Sequence, residues 1–405
     1  MNARKKILYI QKPAGGGSLI ALYEMVRVLD KNRFEPIIFC YEQNEYTEML
    51  SALNVKVIYL IKKDKKVSST ISSSVKKIGN PKLAQRLKRF FIDDFRMAKK
   101  LREVIIGNGI DLIHHNCDFP YIRQGILANN MRLPQVCHYR SLQPYTKPSF
   151  DCFIDRRLAK KIDSHVYISH AVKNHFNYHL GIPTKNEVVI RDIIDSSKFK
   201  KILKDASTLT KFGLTDKHIV VTCIGRILPW KGQHVFIDAV SKFIKQFPNL
   251  KALIVGPYGK GVGSEDYYQQ LKQQTADYNL DEVIIFTGNQ KDIPSILSIS
   301  DCLVHSSVTA EPQGLVIVEA LFCGVPVVVT DSGGAAELII KNEGGLKVSP
   351  GDSDAMAIAI CSILNNKSTY IDEYKAPTIL NEFESQMQIQ QIEGIYEKLL
   401  QIPIR

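Results

Sequence analysis

The sequence predicts two doubly wound α/β domains in tandem, on three observations. Short β-branched runs, apolar on both faces, alternate with helix-period stretches, as in parallel strands covered by helices. The alternation happens twice, with a polar break near residues 195–205 (D-S-S-K-F-K-K-I-L-K-D). The 405-residue length suits two domains of ordinary size.

In order, the first half carries strand-like runs at 7–11, 36–41, 55–60, 112–116, 135–139, 165–169 and 188–193. The second carries them at 219–225, 252–256, 283–288, 302–307, 326–330 and 345–348. Between the first two strands of the second half, Val235, Phe236, Ala239, Val240, Phe243 and Phe247 recur with helical period. Residues 383–400 also show helical spacing. The domains are therefore 1–198 and 199–382, followed by a C-terminal helix within 383–405. Spacing leaves open which domain that helix packs on; a return to the N-terminal domain is one arrangement. Sheets of this class bind ligands outside the carboxyl ends of their strands, so two facing domains would form one cleft.

Composition is globular, 45% apolar and 23% charged, and no run of about eighteen apolar residues suggests a membrane span. Residues 1–17 begin basic and turn apolar, but Gln11 and Lys12 interrupt them, so they read as a first strand and not a signal peptide. The eight cysteines include no C-x-x-C pair, and Cys40, Cys137, Cys223 and Cys302 sit in strand-like runs. That usage fits reduced thiols of a cytoplasmic protein.

The net charge of +12 is uneven. Residues 1–198 hold 34 Lys/Arg against 18 Asp/Glu, and residues 62–103 alone hold 14 against 4. Residues 82–105 place Leu83, Leu87, Phe90, Phe91, Phe95, Ala98, Leu101 and Ile105 as one apolar face among basic residues. This is the pattern of an amphipathic helix that rests on anionic lipid at the inner membrane face; a packed helix with a solvated charged side is the competing reading.

The chemistry concentrates in T-A-E-P-Q-G-L-V-I-V-E-A-L-F-C-G-V-P, residues 309–326. Pro312 suits a first helical turn, where unpaired N–H groups form an anion site. Glu311 lies just before that turn, and Glu319 two turns in. Glu319 has apolar neighbours, so its carboxylate is costly to bury unless a partner outside the helix meets it. This arrangement suits a nucleotide sugar, with phosphates on the helix N-terminus and a carboxylate for each sugar's hydroxyls. A dipole-favoured acid and a surface acid are the plainer alternative. The second element is G-R-I-L-P-W-K-G-Q, residues 225–233, between a strand and a helix. Arg226 and Lys231 there could neutralise a leaving diphosphate.

These pieces resemble glycosyltransferase family 4, the retaining, nucleotide-sugar-dependent enzymes of the GT-B fold. The resemblance covers about residues 218–340: G-R-I-L-P-W-K-G, I-V-G at 254–256, S-D-C-L-V-H-S-S, the E-x7-E motif E-P-Q-G-L-V-I-V-E, G-V-P-V-V-V-T and G-G-A-A-E-L-I. It implies that Glu311 contacts the donor sugar and Glu319 the nucleotide ribose. Backbone N–H groups of Gln313, Gly314, Leu315 and Val316, with Arg226 and Lys231, would hold the diphosphate. In the first half, Gly15, Gly16, Gly17 and Ser18 resemble the family's glycine-rich turn beside the donor phosphate. His138 resembles its active-site histidine, and His114, His115 and Asn116 resemble a region lining the acceptor pocket. Strand 163–169 also matches. Two departures stand out. V-I-R-D-I-I-D at 189–195 replaces the usual V-I-P-N-G-V-D, and His305 stands where proline is common.

The implied reaction moves a sugar from a nucleoside diphosphate sugar to a hydroxyl acceptor, a glycan or lipid-linked, in cell-surface polysaccharide or glycolipid synthesis. No cofactor is expected, and no carboxylate cluster or His-x3-His spacing supports a metal. A nucleotide-sugar epimerase of the same fold and a lectin-like homologue without activity are alternatives. A basic nucleic-acid-binding protein is another, but no binding module is present and nucleic acid is not an expected partner.

Overall fold

The computed structural model describes residues 3–12, 17–44, 47–61, 89–119, 121–143, 145, 149–181, 186–201, 203–259, 263–371 and 376–401. Contacts divide the chain into two units, Met1–Ile194 with Ser385–Arg405, and Asp195–Glu384.

In the first unit β1 (Lys5–Gln11), α1 (Gly17–Val28), β2 (Phe34–Glu42), β3 (Lys56–Ile61), α2 (Phe95–Asn108), β4 (Leu112–Asn116), α3 (Tyr121–Ala128), β5 (Gln135–Tyr139), α4 (Phe150–Ala159), β6 (Ser164–Tyr167), α5 (His170–Leu180) and β7 (Glu187–Val189) follow one another. The sheet is parallel, in the order β3-β2-β1-β4-β5-β6-β7. β1 explains the unbroken apolar runs. Ile7 and Tyr9 join the core that includes Leu19 and Leu22 of α1. Leu8 and Ile10 point the other way, into the core with Leu101 and Ile105 of α2. Alternate residues face opposite sides and both sides are covered, so the four positions 7–10 are all apolar.

The second unit holds α6 (Ala206–Lys211), β8 (Ile219–Ile224), α7 (Gln233–Phe243), β9 (Leu250–Val255), α8 (Glu265–Asp277), β10 (Ile284–Gly288), α9 (Ile293–Ser298), β11 (Cys302–His305), α10 (Leu315–Phe322), β12 (Val327–Thr330), β13 (Gly345–Val348), α11 (Ser353–Asn365) and α12 (Lys367–Tyr370). Its parallel sheet runs β10-β9-β8-β11-β12-β13. Strand order reverses between β8 and β11 here, and between β1 and β4 in the first unit. Loops leaving those strand pairs diverge and open a crevice at the carboxyl ends.

The last helix, α13 (Ser385–Leu400), belongs to the first unit. Its Ile389, Ile392 and Tyr396 enter the core beside α1. The Tyr396 hydroxyl lies 3.1 Å from that of Tyr9 and 2.6 Å from His114 Nδ1. Asp30 N–H donates to Glu393 at 2.8 Å, and Arg33 pairs with Glu397.

Three expectations are corrected. The apolar run at 188–193 is strand only over Glu187–Val189. Ile190, Ile193 and Ile194 are nevertheless buried, because the chain leaves the sheet but stays in the core. The 82–105 helix lies outside the described residues up to 88. From there a π-helical turn, Arg89–Asp94, leads into α2. A π turn adds a residue per turn and shifts the faces. Phe90, Ala98, Leu101 and Ile105 are buried, while Phe91 is 59% and Phe95 48% exposed. The third concerns 312–319. α10 starts at Leu315 with Gly314 as its cap, so Pro312 precedes the first turn and Glu319 is about one turn in. Among the described residues, no helix is long and apolar enough to cross a membrane.

Candidate active site

In the second unit, the loops after β8 and β11 are fastened together by backbone. Gly232 has φ 69°, and a Cβ there would meet Ser306 O at 2.0 Å. Val308 N–H donates to Trp230 O, and Ser306 Oγ to Lys231 O, both at 2.9 Å. Gly256 makes a second close approach, its Cβ position lying 1.9 Å from Gly225 O. Only glycine fits such contacts.

This seam brings Lys231 to Glu311. Lys231 Nζ lies 2.5 Å from Glu311 Oε1 and 4.5 Å from the Trp230 ring centroid. Glu311 Oε2 accepts from Ser307 Oγ at 2.9 Å and lies 2.6 Å from His305 Nε2. Burial alone would raise the Glu311 pKa; Lys231, then His305, more than offset it and hold the carboxyl well below the usual range. The Glu311 backbone is fixed as well. Gly334 N–H donates to its carbonyl at 2.7 Å, and Gly333, at φ 69°, leaves room for that approach.

Lys231 and Glu311, expected at the diphosphate and at the donor sugar, are paired with each other in this structure. Arg226, by contrast, is exposed and has no side-chain hydrogen bond or ion pair among the described residues. Gly314, at φ 83°, caps α10, whose first turn begins with Leu315 and Val316; Gln313 is buried beside it. The first N–H groups of such a helix have no carbonyl within it to bond.

Glu319 is the second carboxylate of the helix and differs from the first. It keeps partial exposure but lies in dense apolar surroundings. Desolvation pushes its pKa up to about 7. No hydrogen bond or ion pair to its side chain exists among the described residues. Among the described residues, one glutamate is thus held on both oxygens and the other has no partner.

In the first unit, Gly17 begins α1 close after β1, and Gly16 lies outside the described residues. Asn116, at the end of β4, ties this region together. Its Nδ2 donates to Gln11 Oε1 at 2.5 Å and to Ser18 O at 3.0 Å, and its Oδ1 accepts from Arg140 Nε at 2.7 Å. Arg140 is the hub that the sequence reading missed. It pairs with Asp192 and reaches His138 Nδ1 at 3.1 Å. Burial pulls its pKa down to about 9, so it is still a cation at neutral pH. Asp192 is the residue that departs from the usual Asn-Gly turn, and it is the counter-ion of a buried arginine. The signal was present: an added acid in an apolar run needs a partner.

Two histidines sit deeper than the sequence reading had them. His138 lies inside β5, 1% exposed, with burial and then Arg140 holding its pKa well below the ordinary value. His115 was expected to line an acceptor pocket. It is fully buried beneath α3, its ring filling the space over Gly125, and bonded to Gln135 at 3.0 Å. Burial lowers its pKa to about 4. At the sheet's carboxyl end stands Asp118, paired to Lys12 and accepting from Ser141 Oγ at 2.6 Å. No group of three or more His, Cys, Asp or Glu able to hold a metal occurs among the described residues.

Two parallel-sheet Rossmann-like units, each with loops gathered at its switch point, define the GT-B class. Comparison with known proteins agrees. The model for glycosyl transferases group 1 matches residues 207–376, and that for glycosyltransferase family 4 matches residues 15–198. The chain belongs to this group 1, family 4-type glycosyltransferase family. Among solved structures, a glycosyltransferase from Rickettsia africae superposes with a TM-score of 0.81 at 22% identity, covering 99% of this chain and 100% of that one. Alr3699/HepE from Anabaena gives 0.78 at 23%, covering 97% and 100%. Among curated proteins, N-acetyl-alpha-D-glucosaminyl L-malate synthase of Bacillus anthracis is 23% identical over 76% of this chain and 80% of its own length. A phosphatidylinositol monomannoside mannosyltransferase of Mycolicibacterium smegmatis is 30% identical, over 38% of this chain and 40% of its own.

Proposed function

We propose that the protein is a retaining glycosyltransferase that moves a sugar from a nucleoside diphosphate sugar to a hydroxyl of a glycan or lipid-linked acceptor, in cell-surface polysaccharide or glycolipid synthesis. The observation that carries this is Glu319, a carboxyl raised by desolvation to about 7 with no partner among the described residues, one turn into a helix whose N-terminus suits phosphate. A ribose diol supplies the two donors it lacks. Glu311 takes the donor sugar's hydroxyls, and Arg226 with the α10 amides takes the diphosphate. These groups stabilise the leaving diphosphate as the sugar becomes oxocarbenium-like.

Retention is the stereochemistry that membership of the family implies. Asp118, a first-unit acid at the carboxyl end of the sheet, has one oxygen on Lys12 and the other on Ser141. A front-face route, in which the leaving phosphate oxygen takes the acceptor's proton as the glycosidic bond forms, requires no protein nucleophile. Donor class is supported by relatives: the Anabaena structures hold UDP and UDP-glucose, and the M. smegmatis relative is named GDP-mannose-dependent. A thermal-shift screen of UDP, GDP and their sugars tests the reading. Bound donor raises Tm by mass action. Glu319→Ala should abolish both shift and turnover, and a folded variant that binds normally would overturn the assignment.

Membrane contact belongs to the same proposal. Exposed Phe91, Ile92 and Phe95 stand beside Arg96, Lys99 and Lys100 at the start of α2, a pairing suited to anionic lipid. Co-sedimentation with anionic but not neutral vesicles is expected; equal or absent pelleting removes this part.

A further inference from the structure

We propose that His305 positions the donor-recognising carboxylate of Glu311, holding it in the one orientation that reads the transferred sugar. The inference rests on the proposed donor reading and deepens it by adding the residue that stands behind that carboxylate.

The geometry is specific. His305 closes β11, in register with Val329 of β12, so the strand fixes where its side chain leaves. The imidazole is 3% exposed, and its Nε2 lies 2.6 Å from Glu311 Oε2. A carboxylate oxygen at that distance requires the proton on Nε2. Nδ1 is buried and has no hydrogen-bond partner among the described residues, so the ring is held through Nε2, which lies 2.6 Å from Glu311 Oε2 and 3.3 Å from Ser307 Oγ. Ser307 Oγ shares Oε2 at 2.9 Å, and Lys231 takes Oε1 at 2.5 Å. Donors on both oxygens confine the carboxylate to a single rotamer. Without the imidazole, Oε2 would keep only the freely rotating Ser307 hydroxyl, and Oε1 only Lys231 on its flexible stem. A glutamate that must accept from two sugar hydroxyls gains most when its orientation is set before the donor arrives. His305 does not reach the reacting atoms; it acts through Glu311.

The test compares wild type with His305→Ala, His305→Gln, His305→Asn and Glu311→Gln. UDP, GDP, UDP-glucose, UDP-N-acetylglucosamine and GDP-mannose are titrated calorimetrically, and donor KM and kcat are measured with whichever sugar is taken. His305→Ala should weaken sugar-nucleotide binding about tenfold or more, the worth of one hydrogen bond to a charged group. Binding of the parent nucleoside diphosphate should stay within about twofold. His305→Gln, whose amide nitrogen reaches the Nε2 position, should recover most of the loss. His305→Asn, whose amide falls short, should not; this pair decides the matter if the alanine variant fails to fold. Equal behaviour of Gln and Asn, or parallel loss of nucleotide and sugar nucleotide, overturns the positioning role. If Glu311→Gln weakens sugar-nucleotide binding and His305→Ala does not, His305 alone falls. If Glu311→Gln also leaves it unchanged, or wild type takes none of the probes, the donor reading fails first.

Discussion

Glu319 makes a prediction separable from catalysis, because its unmet carboxyl costs the ligand-free protein stability. Its folded pKa of about 7 lies above the ordinary 4.5 of an unfolded glutamate. The native state therefore holds the proton more tightly, and stability falls as pH rises from 4.5 towards 7. The full shift would be worth about 3 kcal/mol, and partial exposure reduces that to roughly 1–2 kcal/mol. Glu319→Gln removes the penalty, so the ligand-free variant should melt a few degrees above wild type at pH 8 and equal it near pH 4.5. A scan of Tm against pH checks this; a variant less stable at pH 8 means that some protein group does pair with Glu319. At this scale the sequence was informative where a charge stood in an apolar run. Glu319 and Asp192 both did, but only Glu319 was read for what it needed, because the partner of Asp192 lies 52 residues earlier, at Arg140. The Lys231–Glu311 pair was hidden for the same reason: two good site residues 80 apart gave no sign that they bind each other.

Among the elements, the strands were legible and the turns were not. Both faces of each sheet are covered, so every strand announces itself as an apolar run, and those at 112–116, 135–139 and 345–348 begin and end where expected. A strand's end depends instead on what its neighbour offers. β7 stops at Val189 although apolar residues continue, since Arg140 draws Asp192 into the core. The π-helical turn before α2 escaped for a related reason: a regular period was assumed where an extra residue shifts it. Turns carry the seam that builds the site, and Gly232 tests it. A Cβ there would sit 2.0 Å from Ser306 O at a φ of 69°, so two separate penalties fall on one atom. Gly232→Ala should destabilise the second unit by about 2 kcal/mol or more and move Lys231 off Glu311. Urea denaturation would show a lower midpoint with an unchanged slope, and activity would fall more than the folded fraction does. A variant with wild-type midpoint and turnover would mean that the two loops can part without cost.

At the scale of the whole molecule, the chain leaves its first unit at Ile194 and re-enters it at Ser385. Helical spacing in 383–400 could not say where that helix docks, because an apolar face fits any apolar surface. Its polar residues carry the address. Gln388 donates to Arg191 O at 2.9 Å, Glu393 receives the Asp30 N–H, Glu397 meets Arg33, and Tyr396 joins Tyr9 to His114. Ending the chain at residue 384 would expose the core that Ile389, Ile392 and Tyr396 cover. At about 1.5–3 kcal/mol per buried side chain, that is roughly 5–9 kcal/mol, comparable with the whole stability of an ordinary domain. The 1–384 protein should therefore lose the first unit's cooperative transition while the second, Asp195–Glu384, still unfolds as a unit. Calorimetry and hydrogen exchange distinguish the two: protection should vanish from β1 and β4 and persist in β8 and β11. Tyr396→Phe separates burial from the hydrogen bonds. It keeps the ring in place but removes the hydroxyl shared by Tyr9 and His114, and should cost about 1–3 kcal/mol with the first unit still folded. If the truncated chain kept full protection in β1, the C-terminal helix would be a passenger on that sheet rather than part of its core.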